Sequence, residues 1–329
     1  MILDGRQDSC IAQAARVLAS GGLVAFPTET VYGLGADAAN ARAVAGIFAA
    51  KGRPSDHPLI VHVPDAAAAD RFAASVPPVA RRLMQAFWPG PLTLILPRRP
   101  EMAGAAAGGQ DSIGLRCPAH PVAHALLAAC AQADPPVWGV AGPSANRFGR
   151  VSPTTAAHVA SEFDEQLLVL DGGATPVGIE SAIVDCTRGV PVLLRPGTLT
   201  RAQIEAACGE PLRLPEELPG AAPRASGTLE SHYAPDAKVR LMDAGSLQTA
   251  LDLLGPDAGS IAVYARTPLR TRSPHYRRMP DDAGETARQL FAVLREFDAA
   301  RVKLIWVEAP PDTPEWDGVR DRLRRAAAG

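Results

Sequence analysis

Five prolines, Pro211, Pro215, Pro219, Pro223 and Pro235, fall within residues 210–236, a stretch with few apolar residues. Proline removes a backbone donor and fixes φ, so such a stretch cannot be the interior of a helix or a central strand. It reads as a linker and divides the 329 residues into a block at 1–209 and a block at 237–329. A chain of this length is in any case long for one domain.

The first block alternates short apolar runs with helical patterns. Runs at 23–26, 59–63, 92–96, 112–116, 137–141, 167–170, 182–185 and 190–194 read as strands, each stopped by Gly, Pro or a polar residue. Helices are predicted from residue 8 or 9 to the Gly21-Gly22 pair, and over 41–51, 65–74, 77–87, 119–131 and 200–208, with another starting at 152–155. The gaps include hairpin and crossover lengths, which argues for a mixed sheet with helices packed on it. In the second block, strands at 239–242, 261–265 and 302–307 alternate with helices near 246–254 and 282–299. That pattern predicts a small α/β domain with a parallel sheet.

Charge counts against one class of function. There are 33 Lys and Arg against 35 Asp and Glu, and 33 − 35 = −2. No global basic field exists to hold nucleic acid. The cysteines, Cys10, Cys117, Cys130, Cys186 and Cys208, form no C-x-x-C pair, which fits free thiols in a reducing compartment. Residues 1–6 lack a basic stretch leading into an apolar core, and no window reaches the ~18 apolar residues of a membrane span. The expectation is a cytoplasmic protein without membrane association.

Lys51-Gly52-Arg53-Pro54 reads first as a helix stop: Lys51 in the last turn, Gly52 left-handed, Pro54 preventing continuation. Taken alone, its two cations are simply solvated at a helix end. Their company changes that reading. At strand ends or in adjoining loops lie Thr28, Thr30, Lys51, Arg53, His62, Ser112, Arg116, Ser144, Asn146, Ser152, Ser181 and Arg195, with Glu29 and Glu180 the few acids among them. Guanidinium, ammonium and hydroxyl groups in that proportion suit an anionic, phosphate-bearing ligand. Other chemistries lack their signatures. There is no G-x-G-x-x-G, no P-loop, no G-x-S-x-G, and the His120/His124 pair has no H-E-x-x-H context. Cys117 beside Arg116 has the packing context of an inert thiol.

The order of motifs carries a resemblance. Pro27-Thr28-Glu29-Thr30-Val31-Tyr32-Gly33-Leu34, Lys51-Gly52-Arg53-Pro54 with His57-Pro58-Leu59, Gly114-Leu115-Arg116-Cys117-Pro118, Pro143-Ser144-Ala145-Asn146 and Arg195-Pro196-Gly197 resemble the YrdC-like family. Ser231-His232-Tyr233-Ala234-Pro235 in the linker matches its long, two-domain form, the L-threonylcarbamoyladenylate synthases. The resemblance implies an open, twisted mixed β-sheet with helices around a basic concave cavity, plus a small C-terminal Rossmann-like α/β domain. It implies a nucleotidyltransferase reaction: L-threonine, bicarbonate and ATP, with Mg²⁺ accompanying the ATP, give threonylcarbamoyl-AMP and pyrophosphate. The product passes to the tRNA threonylcarbamoyl-transferase machinery, with a weak tRNA contact as a further possibility; no tightly bound cofactor or resident metal is expected.

By position, Thr30, His62, Arg116, Ser144 and Ser181 match the threonine site. Lys51, Arg53, His57, Ser112, Asn146, Ser152, Arg195 and Tyr233 match the nucleotide site, with Lys51 and Arg53 as the catalytic pair and Tyr233 as a lid residue. His57 occupies a variable position, and Ser152 competes with Thr154 in its loop. No general base stands out; Glu29 is a candidate. Two other readings stand beside this one: an RNA-binding or ribosome-maturation module using the basic face, and a carbamoyl-transfer domain of hydrogenase maturation, which lacks its companion segments here. The run Arg266, Arg270, Arg272, Arg277 and Arg278 reads as a solvated loop ahead of a tRNA or partner contact.

Overall fold

A computed structural model describes residues 1–228 and 232–329. It divides into two compact units, one of residues 1–148 and 152–228, the other of residues 149–151 together with the chain beyond Thr228. Residues 210–228 of the proline-rich stretch therefore pack with the first unit. Ser231 lies outside the described residues.

The first unit is built on ten strands: β1 (Ile2–Asp4), β2 (Val24–Phe26), β3 (Gly33–Asp37), β4 (Ile60–His62), β5 (Leu92–Pro97), β6 (Ser112–Arg116), β7 (Val140–Ala141), β8 (Leu168–Asp171), β9 (Ala182–Asp185) and β10 (Val192–Arg195). Their order is β1-β8-β2-β3-β7-β4-β6-β5-β9-β10, with parallel and antiparallel neighbours intermixed. This is the mixed open sheet expected. Helices α1 (Asp8–Ala19), α2 (Ala41–Lys51), α3 (Ala69–Phe72), α4 (Pro78–Phe87), α5 (Pro121–Ala131), α6 (Ala156–Ala160) and α7 (Arg201–Cys208) cover it. Helix α1 buries Ile11, Ala14, Ala15 and Leu18, the stripe its spacing predicts, in a core shared with Val122, Leu126 and Leu127 of α5. The larger core, on Tyr32, Ile47, Leu59, Phe72 and Leu94, unites α2 and the central strands. One expectation is corrected: the helix at 65–74 shrinks to the single turn α3. Two strands are additions, β3 and the edge strand β1, the latter too short to show a period.

The helix stop at 51–54 has the geometry read from its sequence. Asn40 caps the start of α2, accepting from the amides of Arg42 and Ala43. At the other end Gly52 has φ 62°, and the amides of Gly52 and Arg53 bond back to Ala49 and Phe48, a Schellman motif.

The second unit is a four-stranded, all-parallel sheet: β11 (Lys238–Met242), β12 (Ile261–Ala265), β13 (His275–Arg278) and β14 (Leu304–Glu308), in the order β11-β14-β12-β13. Helices α8 (Ala244–Leu254), α9 (Ala283–Ala299) and α10 (Asp317–Ala327) accompany it. Strand β13 is an addition to the expected elements. It reads His-Tyr-Arg-Arg because an edge strand need bury little. Four members of the basic run are ion-paired, Arg266 with Glu308, Arg270 with Asp252, Arg277 with Glu296 and Arg278 with Asp281, so the run is a paired surface. Among the described residues no helix is long and apolar enough to cross a membrane.

Candidate active site

Strand register brings the first group of candidates together. Ile60 lies opposite Gly114 and His62 opposite Arg116, and side chains two apart on one strand share a face. Ser112, Gly114 and Arg116 therefore line one face of β6 beside Ile60 and His62 of β4. On the neighbouring strands Thr93 pairs with Ile183, and Ser181, just before β9, has its hydroxyl 2.8 Å from that of Thr93.

Arg116 is only 4% exposed. Its Nη2 donates to Glu29 Oε1 at 2.6 Å and its Nε to the Gly90 carbonyl at 3.3 Å. Glu29, also buried, accepts the Ala119 amide on its other oxygen at 3.0 Å. Among the described residues Nη1 of Arg116 has no hydrogen-bond partner, leaving one donor edge for a ligand. Burial, reinforced by the Arg116 charge, lowers the His62 pKa to about 3, so this imidazole is neutral. Among the described residues its Nδ1 has no partner. Gly142 is needed beside it, since a Cβ there would stand 3.0 Å from Nδ1.

Thr30 is fully buried. Its hydroxyl lies 2.8 Å from that of Thr28, which also bonds the Val31 carbonyl at 2.6 Å. The Thr30 carbonyl accepts the Gly178 amide at 3.2 Å, tying this loop to the one that leads into Ser181. Ser144 bridges to Gly33. The five threonine-site candidates thus lie on adjoining strands and loops.

The cations expected at the phosphates have specific neighbours. Lys51 is buried, and its Nζ donates to the Ser144 carbonyl at 2.6 Å and to the Asn146 carbonyl. Burial, with Arg53 nearby, pushes its pKa well down. Lys51 is therefore a staple across the Ser144–Asn146 turn. The helix stop points the ammonium inward because the turn it must hold lies under the C-terminus of α2; the Phe148 amide completes the join on the Lys51 carbonyl at 2.9 Å. Arg53 donates from Nη2 to the Pro58 carbonyl at 2.9 Å, with its guanidinium carbon 5.7 Å from the Phe148 ring centre. His57 meets the same ring edge-on at 5.4 Å. Burial and the Arg53 charge lower the His57 pKa. Phe148 is a functional-site candidate that motif reading missed; its signal was one aromatic residue directly after the Asn146 turn.

Asn146 is buried, with Nδ2 donating to the Arg147 carbonyl at 2.7 Å. Ser152 donates to Glu180, both buried, which joins two loops. Thr154, its rival in the loop, lies against the His158 ring. Arg195 clasps the Ser181 carbonyl with Nε at 3.1 Å and Nη2 at 2.9 Å, and reaches the Ser226 carbonyl with Nη1 at 2.8 Å. Ala225 and Ser226 close a small cavity over Ile60, Thr93, Ile95, Gly114 and Ile183. Arg224 beside them is held by Asp56 at 2.9 Å and by a reciprocal bracket with Gln110. Its amide donates to Oε1 at 2.8 Å, and its carbonyl accepts from Nε2 at 3.2 Å. Residues 224–226 therefore lie across the strand face.

Tyr233 has a different placement. It belongs to the second unit, 1% exposed, its ring 5.5 Å from Phe291 in a stacked pair and 5.4 Å from the Arg322 guanidinium carbon. Its φ is 61°, a left-handed backbone that costs a non-glycine residue about 1–2 kcal/mol. Cys117 is inert: burial, with the Asp65 and Glu29 carboxylates adding to it, pushes its pKa up to about 12. His120 caps α5 through Nδ1. Among the described residues no three His, Cys, Asp or Glu side chains converge as a metal cage, and the two acids nearest the site are engaged by Arg116 and Ser152.

Both units match known families. Residues 16–197 match the Sua5/YciO/YrdC family, described as "Telomere recombination", and residues 199–328 match the threonylcarbamoyl-AMP synthase C-terminal domain. The threonylcarbamoyl-AMP synthase of Bacillus subtilis is 39% identical, the alignment covering 98% of this chain and 94% of the relative. That of Pyrococcus abyssi is 37% identical over 95% and 93%. The crystal structure of P. abyssi Sua5 complexed with L-threonine superposes with a TM-score of 0.89 at 35% identity, covering 99% of this chain and 97% of that one. With both of its units matched in order and almost its whole length aligned, the chain belongs to the Sua5/YrdC family, in the two-domain form of the threonylcarbamoyl-AMP synthases.

Proposed function

We propose that this protein is a threonylcarbamoyl-AMP synthase, a nucleotidyltransferase that uses L-threonine, bicarbonate and ATP. The observation that carries the reading is the corner formed by Arg116, His62, Thr93 and Ser181, beside a second buried guanidinium, Arg195. The free Nη1 edge of Arg116 receives the threonine carboxylate, and neutral His62 and the neighbouring hydroxyls receive its amine and side-chain hydroxyl. A site that satisfies a substrate hydroxyl rejects analogues lacking it, by up to about 10⁴–10⁵.

The threonine amine adds to the carbon of bicarbonate, and water leaves, giving a carbamate. A carbamate oxygen attacks the α-phosphorus of ATP, and the bond to the β-phosphate oxygen breaks to release pyrophosphate. Arg53 and Arg195 stabilise charge as it passes to the leaving group. Lys51 acts on the same step by fixing the Ser144–Asn146 turn, whose Asn146 orients the nucleotide together with Ser112, Ser152 and the His57/Phe148 wall. Mg²⁺ arrives with ATP as part of that substrate. Residues 224–226 exclude water from the carbamate, which is short-lived in bulk solvent. Free thiols fit a reducing cytoplasm, and the adenylate goes on to a tRNA threonylcarbamoyl-transferase.

An RNA-binding module is not favoured, because the net charge is −2 and four of the five arginines in the basic run of the second unit are ion-paired. The test is pyrophosphate release with each substrate omitted in turn. Release that requires both L-threonine and bicarbonate supports the reading; release indifferent to either defeats it.

A further inference from the structure

Glu29 is a buried acid, 6% exposed, beside the reacting groups, which makes it a natural suspect for a proton-transfer role. Its contacts argue otherwise. One carboxylate oxygen takes Arg116 Nη2 at 2.6 Å, and the other takes the Ala119 amide at 3.0 Å. Its backbone carbonyl accepts the Val177 amide at 2.9 Å. Both oxygens thus face donors on the 116–119 segment, and the residue is locked between that segment and the loop before Gly178.

The guanidinium it holds is planar, with donors in a fixed fork. Gly90 fixes Nε and Glu29 fixes Nη2, so the remaining donor edge at Nη1 has one direction. We propose that Glu29 is a positioning residue: it orients Arg116 and balances its charge, and so gives the enzyme its selectivity for the carboxylate of the amino-acid substrate. This rests on the reading that Arg116 binds that carboxylate. Glu29 touches no reacting atom. Without it the guanidinium can rotate about its terminal torsions and offer its fork in several directions, only one of which meets the substrate.

The test compares L-threonine with L-threoninol, which keeps the amine and side-chain hydroxyl but replaces the carboxylate with an alcohol. Both are titrated into the wild-type protein, Glu29→Gln and Glu29→Asp. Glu29→Gln keeps one acceptor oxygen for Nη2, loses the charge and turns its NH2 toward the Ala119 amide, one neutral hydrogen bond lost; ATP titration without threonine checks that it folds. The expected result is a 10- to 100-fold weaker affinity of Glu29→Gln for L-threonine, roughly the value of a charged hydrogen bond, with L-threoninol affinity unchanged. The KM for threonine rises to match, kcat at saturation stays near wild type, and Glu29→Asp recovers part of the loss. Three results overturn the proposal. Equal losses for L-threonine and L-threoninol mean a general structural lesion. Unchanged threonine affinity with kcat down by about 100-fold or more means proton transfer. A wild-type protein that binds neither ligand brings down the carboxylate assignment itself, and this inference with it.

Discussion

Lys51 Nζ lies 2.6 Å from the carbonyl oxygen of Ser144, and the same ammonium holds the Asn146 carbonyl. A buried cation that bonds main-chain oxygens works through the shape of the turn it holds. Lys51→Met leaves two carbonyls without their donor, each worth about 1–3 kcal/mol. Lower stability in urea and a raised KM for ATP are expected together. Lys51→Arg should restore neither, because a planar fork does not fit where a compact ammonium sits. A Lys51→Met protein with wild-type stability and kinetics would show the staple to be idle.

Arg195 joins Ser181, in the proposed threonine corner, to Ser226 of the covering segment. Arg195→Lys keeps the charge and loses the clasp. KM for both threonine and ATP is expected to rise about tenfold or more, as for lost hydrogen bonds to a charged group. Steady-state pyrophosphate release with each substrate varied measures this. A change confined to one substrate would contradict the shared clasp.

His62 gives the protein an acid-sensitive position. Its folded pKa of about 3 lies below the ordinary value of 6.5, because burial and Arg116 disfavour the cation. Between those values the unfolded chain holds the proton and the folded one does not. Stability is therefore intact above pH 6.5 and declines as pH falls toward 3, by at most roughly 4–5 kcal/mol. Urea midpoints from pH 7 to 4 should fall less steeply for His62→Gln than for wild type. Parallel slopes would disprove the assignment.

Arg270 and Arg278, each paired with a carboxylate at a half-exposed or exposed position, should be replaceable. Exposed pairs contribute about 0–1 kcal/mol. The double change Arg270→Ala with Arg278→Ala is expected to leave adenylate formation unaltered and stability within about 1 kcal/mol. A fall in activity would reveal a role for this face that its ion pairs conceal.

The site's residue types were legible in the sequence because strand ends punctuated by Gly and Pro announce themselves, and Arg116, His62 and Ser181 lie at such ends. Register then joined residues 54 and 65 positions apart, Arg116 with His62 and Ser181, through β4, β5, β6 and β9. What could not be read was partner choice. Nothing in a one-dimensional string says that Lys51 bonds carbonyls near residue 145, or that Glu29 spends its charge on Arg116. Those choices arise from packing between segments 87–95 residues apart. Strand β13 escaped for the opposite reason, since an edge strand rich in Arg carries little apolar pattern. Tyr233 shows that a motif match names a residue without naming its side-chain environment.

Arg224, bracketed by Gln110 and paired with Asp56, has a consequence for timing. While these contacts hold, Ala225 and Ser226 lie over the strand face, and on the proposed reading a ligand enters most readily when they break. The bonds are exposed and individually weak, which makes opening a frequent event rather than a slow unfolding. Substrate capture should thus saturate at the opening rate, and Gln110→Ala should lift that ceiling while shortening the lifetime of the trapped carbamate. The enzyme would load faster and waste more threonine-bound carbon dioxide per adenylate made.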